Sequence, residues 1–145
     1  ENKICLLVMA GALITVSAVE TFNYIYSTTI YYDNFFMIPF TKIPVFIILS
    51  GSIIAAWTYR FAVKIKEFSK IKNLDFVSAF FLSLVFPPLS EIFGVGAGLW
   101  RWEGDVQMNL SFFLGIWKFY ALFIFLPVFC GLLLGGRNGV YACKK

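Results

Sequence analysis

Four long apolar runs, roughly Ile4 to Tyr26, Ile43 to Val63, Leu74 to Phe93 and Leu110 to Leu134, leave this chain few folds to choose from. A bilayer core about 30 Å thick is crossed by about 20 helical residues, and each run is long enough. Inside that layer no water is present to bond the backbone, so each run must close its own hydrogen bonds as a helix. The expected fold is an all-α integral membrane protein, with four transmembrane helices arranged as two hairpins in one transmembrane domain over residues 1–145. A basic loop over 64–73 joins the hairpins. Composition excludes the soluble alternative, because 60% of the residues are apolar and only 14% charged. A soluble domain carries about 45–50% and about 25%.

Charge sets the expected orientation. Lys64, Lys66, Lys70 and Lys72, with Arg60 beside them, meet only Glu67 and Asp75 of opposite sign. Basic loops stay on the cytoplasmic side. Lys3, Arg137, Lys144 and Lys145 fall on that same side, against Lys42 and Arg101 on the other, so both termini are expected in the cytoplasm and the chain in the cell membrane. The net charge of +4 is thus a topological signal, and no nucleic-acid partner is expected. The chain begins with Glu1, and residues 1 to 3 form no basic opening of a signal peptide; missing upstream residues and a removed leader both account for that start.

The chain has no histidine, which excludes Ser/His/Asp and Cys/His catalysis, the usual haem ligation and most zinc or copper sites. Cys5, Cys130 and Cys143 lie far apart without CxxC spacing and read as apolar fillers. Neither a metal nor a cofactor is expected. The two outer connections, Tyr24 to Phe36 and Trp100 to Met108, mix rings with Asp33, Glu103 and Asp105. Such rings suit headgroup depth, and they suit the roof of a pocket equally well.

Ionisable side chains within spanning helices cost about 2.5–3.5 kcal/mol each on insertion scales and usually face a bundle interior, a partner or water. Three qualify: Glu20 near the outer end of the first helix, Glu91 near the outer end of the third, and Lys118 about two turns into the fourth. In a buried network Lys118 would keep one carboxylate ionised, while burial and like charge would keep the other protonated. A protonated carboxylic acid under an apolar roof can protonate a carbon–carbon double bond, and a neighbouring carboxylate can activate water or remove a proton afterwards. The plainer reading is a structural ion pair that fixes helix pairing, with either Glu snorkelling to the headgroups.

Pro87 and Pro88 precede Glu91 by one turn, so the third helix is expected to kink or break there and border a cavity. Gly94, Gly96 and Gly98 follow, giving either a flexible backbone beside the acid or a surface for close helix packing. No strand precedes this GxGxG string, and no Lys with Ser/Thr follows it, so it is not a nucleotide motif. Gly11, Ala12, Ser17 and Ala18 with Ser50, Gly51, Ser52, Ala55 and Ala56 supply small faces for the first hairpin, while Pro127 should bend the helix that carries Lys118. A shift of 71 positions lays Glu20 on Glu91, Phe22 on Phe93 and Tyr31 on Trp102. Two hairpins so related would form a parallel internal repeat about an axis along the membrane normal, while the few matching letters are also within what chance supplies.

The stretch PPLSEIFGVGAGLWRWEGD followed by NLSFFLGIW resembles the multi-spanning carotenoid hydratases and related carotenoid-synthesis membrane proteins. There an acidic residue at a helix end precedes a glycine-containing stretch, a W-x-W or Y-x-Y pair and a helix opening near N-F-x-G-W. Here Glu91, Gly94, Trp100, Trp102 and the run Phe113, Leu114, Gly115 and Trp117 stand at those places, with an echo in Glu20, Phe22, Tyr24, Tyr26 and Ile38 to Phe40. The resemblance covers about two thirds of the chain. It departs in having four helices where such enzymes have more, an extra residue before Trp117 and no clear G-V-P segment. It implies acid-initiated addition to a double bond of a long isoprenoid.

The leading expectation is therefore hydratase- or cyclase-like chemistry on an isoprenoid ligand, with Glu91 as acid, Glu20 as its partner and Lys118 as charge tuner. Tyr24, Tyr26, Trp100, Trp102 and Trp117 would line the substrate, where rings stabilise a carbocation. The alternative is a non-catalytic accessory subunit whose Glu and Lys residues meet partner helices. A transporter is the weaker third, since four helices enclose little volume. Expected partners are membrane lipid and either a second copy of the chain or other membrane subunits.

Overall fold

The computed structural model describes residues 2–25, 29–31, 36–39, 43–102 and 110–137; residues 2, 22–24, 29–31, 91, 100–102, 110–121, 136 and 137 are described by their backbone alone. Four helices make up the body: α1 (Asn2–Ile25), α2 (Val45–Ser69), α3 (Leu74–Gly96) and α4 (Leu110–Arg137). α1 packs on α2 and α4, α3 packs on the same two, and α2 meets α4 across the diagonal. Over Lys3–Thr21, Val45–Ser69 and Leu74–Gly96 the first three helices are long and apolar enough to cross a membrane. In α4 the apolar part with described side chains is Leu122–Gly135. It runs antiparallel beside α1 and α3, so it passes through whatever layer they cross.

Among the described residues, small side chains let the helices close around buried Val8, Tyr59, Val128 and Leu132, while many large apolar ones face outward. Ala12, Ala55, Ala62 and Ala79 are fully buried, while Ile14, Trp57, Phe81 and Phe93 are exposed at 60–73%. Lipid tails are as apolar as Leu, so sending large residues outward costs nothing, and small ones let the backbones close. A Cβ built on Gly51 would stand 2.8 Å from Val16 Cγ2, and one on Gly11 would stand 3.2 Å from Pro127 Cβ. Gly131 lies against Val8 in the same way. The buried α2 face uses Gly51, Ser52, Ala55 and Ala56 as expected, whereas Ala18 and Ser50 turn outward. Cys130 is exposed rather than a filler.

Proline opens the ladder of α4, and a neighbouring helix closes it. Pro127 has no N–H for the carbonyl four residues earlier, and that Phe123 carbonyl instead accepts the Thr15 hydroxyl of α1 at 3.0 Å. Such repair by a neighbouring Ser or Thr is what makes a membrane proline tolerable. α3 stays helical through Pro87 and Pro88, where a kink or break was expected, and the Ser90 hydroxyl bonds the Pro87 carbonyl at 2.7 Å.

The glycine string is a helix stop, not a flexible arm. Gly98 takes φ +69, its N–H bonds the Val95 carbonyl at 3.0 Å, and the Leu99 N–H bonds the Gly94 carbonyl at 2.9 Å. This pair of bonds, with a left-handed glycine, ends a helix without orphaned carbonyls. A Cβ on Gly96 would meet nothing within 4 Å, so that glycine serves no packing.

Two departures involve the connections. The basic segment expected as a loop over 64–73 remains helical to Ser69, and only residues 70–73 turn, with Lys70 and Asn73 left-handed. Lys and Glu are good helix formers, so leaving an apolar layer does not end the helix. At the other end the outer connections pair with each other. β1 (Thr29–Tyr31) runs antiparallel to β2 (Trp100–Trp102), with Ile30 opposite Arg101.

Candidate functional site

The acids are placed by a row of buried positions four apart. Ile4, Val8, Ala12 and Val16 line the inner face of α1, and the next position is Glu20, which is only 2% exposed. Four residues of α-helix turn through 400°, so the row winds slowly and stays on the buried side. Asp75, Ala79, Ser83 and Pro87 form the same kind of row on α3. Its next position is 91, described by its backbone alone.

Helix register sets their depth. Thr15 meets Phe123 and Gly11 meets Pro127, so one further turn sets α4 position 118 level with Glu20. Val16 against Gly51 brings Ile47 of α2 to the same level, and Ile47 is buried. Phe76 meets Phe129 edge-to-face at 5.4 Å and Phe80 meets Phe125 edge-to-face at 5.7 Å, which puts position 91 level with 114, one turn nearer the ribbon. The backbone thus brings positions 20, 91 and 118 into a layer about one turn, or 5.4 Å, thick. The ribbon lies four residues beyond the end of α1 and four beyond the end of α3.

Of the expected substrate-lining residues, Tyr24 lies in the last turn of α1, Trp100 and Trp102 in β2 and Trp117 in α4, all by backbone position. Tyr26 lies outside the described residues. The side chains of Glu91 and Lys118 are not described either, so Glu20 is the one member of the expected acid group whose burial is on view. Among the described residues, no three His, Cys, Asp or Glu side chains gather into a metal-binding group.

Three features escaped the sequence reading. Asp75, expected beside a loop, is fully buried in the first turn of α3 and pairs with Lys66 Nζ at 2.7 Å. Its second carboxylate oxygen and the buried Ser83 hydroxyl have no hydrogen-bond partner among the described residues. A shallow cleft of about 200 Å³ opens between α1 and α4, lined by Leu7, Gly11, Pro127, Cys130 and Gly131 among others. The one signal for Asp75 was its place four residues before Ala79 and eight before Ser83, a spacing that only the buried face of α3 makes meaningful.

Comparison of the chain with models of known protein families, with characterised proteins and with solved structures returns no match. The site's own geometry therefore carries the functional reading.

Proposed function

We propose that this protein binds a long apolar isoprenoid- or carotenoid-like chain in the plasma membrane and adds water to, or cyclises, one of its double bonds by acid-initiated chemistry. The observation that carries this reading is the burial of Glu20 at the end of the Ile4–Val8–Ala12–Val16 row, matched 71 residues on by Asp75–Ala79–Ser83–Pro87 and then Glu91. An acid at that depth is costly unless it is used or paired.

In the hydration reaction the Glu91 carboxylic acid gives its proton to one alkene carbon; the π bond breaks, a C–H bond forms and the cation develops on the other carbon. Tyr24, Tyr26, Trp100, Trp102 and Trp117 stabilise that cation through their ring faces. Water then forms the C–O bond as the Glu20 carboxylate takes its proton, and transfer of that proton back to Glu91 closes the cycle. Lys118 holds the ionised partner in its charged state. No cofactor enters the balance.

Several observations support the finer architecture. The pairs Thr29–Trp102, Ile30–Arg101 and Tyr31–Trp100 are centred on Ile30 and the residue 71 positions later. Such a register arises when a twofold axis relates two copies of one hairpin. Exchange of α1 with α3 and of α2 with α4 also preserves every major helix contact. We read the chain as two parallel repeats, with both termini and the basic corner in the cytoplasm.

The test is mass spectrometry of organic extracts from gently purified protein, beside the Glu20→Gln, Glu91→Gln double variant. A co-purifying isoprenoid lost in the variant supports the reading, and Glu91→Gln alone should then abolish turnover while leaving the helical circular dichroism unchanged. Full turnover by Glu91→Gln sinks the acid assignment. Bulk lipid in both samples, with one other polypeptide persistently co-purifying, moves the protein to the accessory-subunit class.

A further inference from the structure

The corner between α2 and α3 carries a surface that the proposed chemistry does not use. α2 has 25 residues, a length of about 37 Å at about 1.5 Å per residue, against a hydrocarbon layer of about 30 Å. Its last turns therefore stand among headgroups.

Those turns are two-sided. Tyr59, Ala62 and Val63 are buried, and Lys66 turns to the buried Asp75. On the opposite face Arg60, Phe61, Lys64, Ile65 and Phe68 follow at helical spacing and are all exposed, Phe68 at 95%. The turn into α3 adds Lys70, Ile71 and Lys72, exposed as well. Lys66 and Asp75 cancel, and Glu67 offsets only one of the four remaining cations. Protruding apolar groups interleaved with cations at this depth match the two phases of a lipid surface: acyl chains for Phe61, Ile65 and Phe68, phosphates for the basic residues.

We propose that this corner is a binding site for anionic phospholipid headgroups. Arg60, Lys64, Lys70 and Lys72 gather the phosphates, and the Phe68 ring anchors the helix end among the chains. The positive-inside rule requires only that cations remain on one side; it does not require a ring as exposed as Phe68 among them. Charge complementarity therefore selects an acidic lipid rather than a neutral one.

Trp57 reports on this face, since it is 60% exposed one turn deeper and meets Phe61 edge-on at 6.5 Å. The full chain is reconstituted into phosphatidylcholine–phosphatidylglycerol vesicles in which one or the other lipid is brominated. Quenching of Trp57 is taken as the difference between wild type and Trp57→Phe. We expect phosphatidylglycerol to be enriched at Trp57 by about threefold or more at low salt. The enrichment should vanish near 1 M salt, where the screening length falls to about 3 Å. It should also vanish in the Arg60→Gln, Lys64→Gln, Lys70→Gln, Lys72→Gln variant and persist in Lys3→Gln. Equal quenching by both lipids in wild type overturns the proposal, as does a salt-sensitive enrichment that survives the fourfold variant. If lipid preference is absent and Phe68→Ser disperses a dimer in detergent, the corner belongs to a second copy of the chain.

Discussion

Replacing Gly51 by Ala tests whether the closeness of α1 and α2 is what holds the first hairpin. The new Cβ would lie 2.8 Å and 3.0 Å from the two methyls of Val16, which is itself buried. Carbon atoms sit comfortably about 3.5–4.0 Å apart, so the shortfall is about 0.5 Å or more on both methyls. Valine in a helix holds one side-chain rotamer about 90% of the time, and neither methyl can swing away. The helices must part instead. Overpacking of this kind costs about 1–3 kcal/mol, while Ala over Gly returns about 0.8–1.0 kcal/mol of helix propensity. The net expectation is a loss of about 1 kcal/mol. In a Val16→Ala background the clash is gone and only the propensity gain remains, so Gly51→Ala should there stabilise by a few tenths to about 1 kcal/mol. Reversible unfolding by dodecyl sulfate in mixed micelles, followed by helical circular dichroism, reads all four corners of the cycle. The reasoning is refuted if Gly51→Ala changes stability with the same sign in both backgrounds. Gly96→Ala, which meets open space, should show the gain without any partner change.

Thr15→Val removes the donor that satisfies the Phe123 carbonyl above Pro127. It should cost about 0.6–1.7 kcal/mol by the same unfolding assay, and Thr15→Ser, which keeps the hydroxyl donor, should escape most of that loss. Lys66→Met leaves the fully buried Asp75 without its counter-ion. With the lysine about a quarter exposed, a loss of about 1–3 kcal/mol is expected, most of it regained when Asp75→Asn is added; no recovery in the double variant would show that the pair is not the cause. Lys118→Met should weaken stability as well as turnover if it is the counter-ion of the acid layer, and a variant that loses turnover alone would limit Lys118 to the chemistry.

The depth of the acid layer shows where sequence reading reaches. Glu20, Glu91 and Lys118 could be placed towards the ends of their helices that lead into the aromatic connections by counting residues, because a helix rises uniformly. The burial of Glu20 could not, since a carboxylate five residues from a helix end can snorkel as easily as turn inward. The row from Ile4 through Val16 decides it, and that row becomes visible only when α2 and α4 cover one side of α1. The basic corner is the converse case: its charges were plain, but its helical continuation and the exposure of Phe68 depend on where α3 turns back.

The sequence by itself determined an all-helical chain with runs long and apolar enough to cross a membrane, and the stretch where its basic residues collect, because hydrocarbon leaves an apolar run of about 20 residues no structure but a helix. Tertiary structure alone decided which small residues meet, that Thr15 repairs the proline gap in α4, that Asp75 is interior and that the outer connections pair as a ribbon. These depend on distances between segments far apart in the chain. Apolar periodicity constrains such distances weakly when lipid and core are equally apolar, so backbone closeness and the satisfaction of polar groups make the choice.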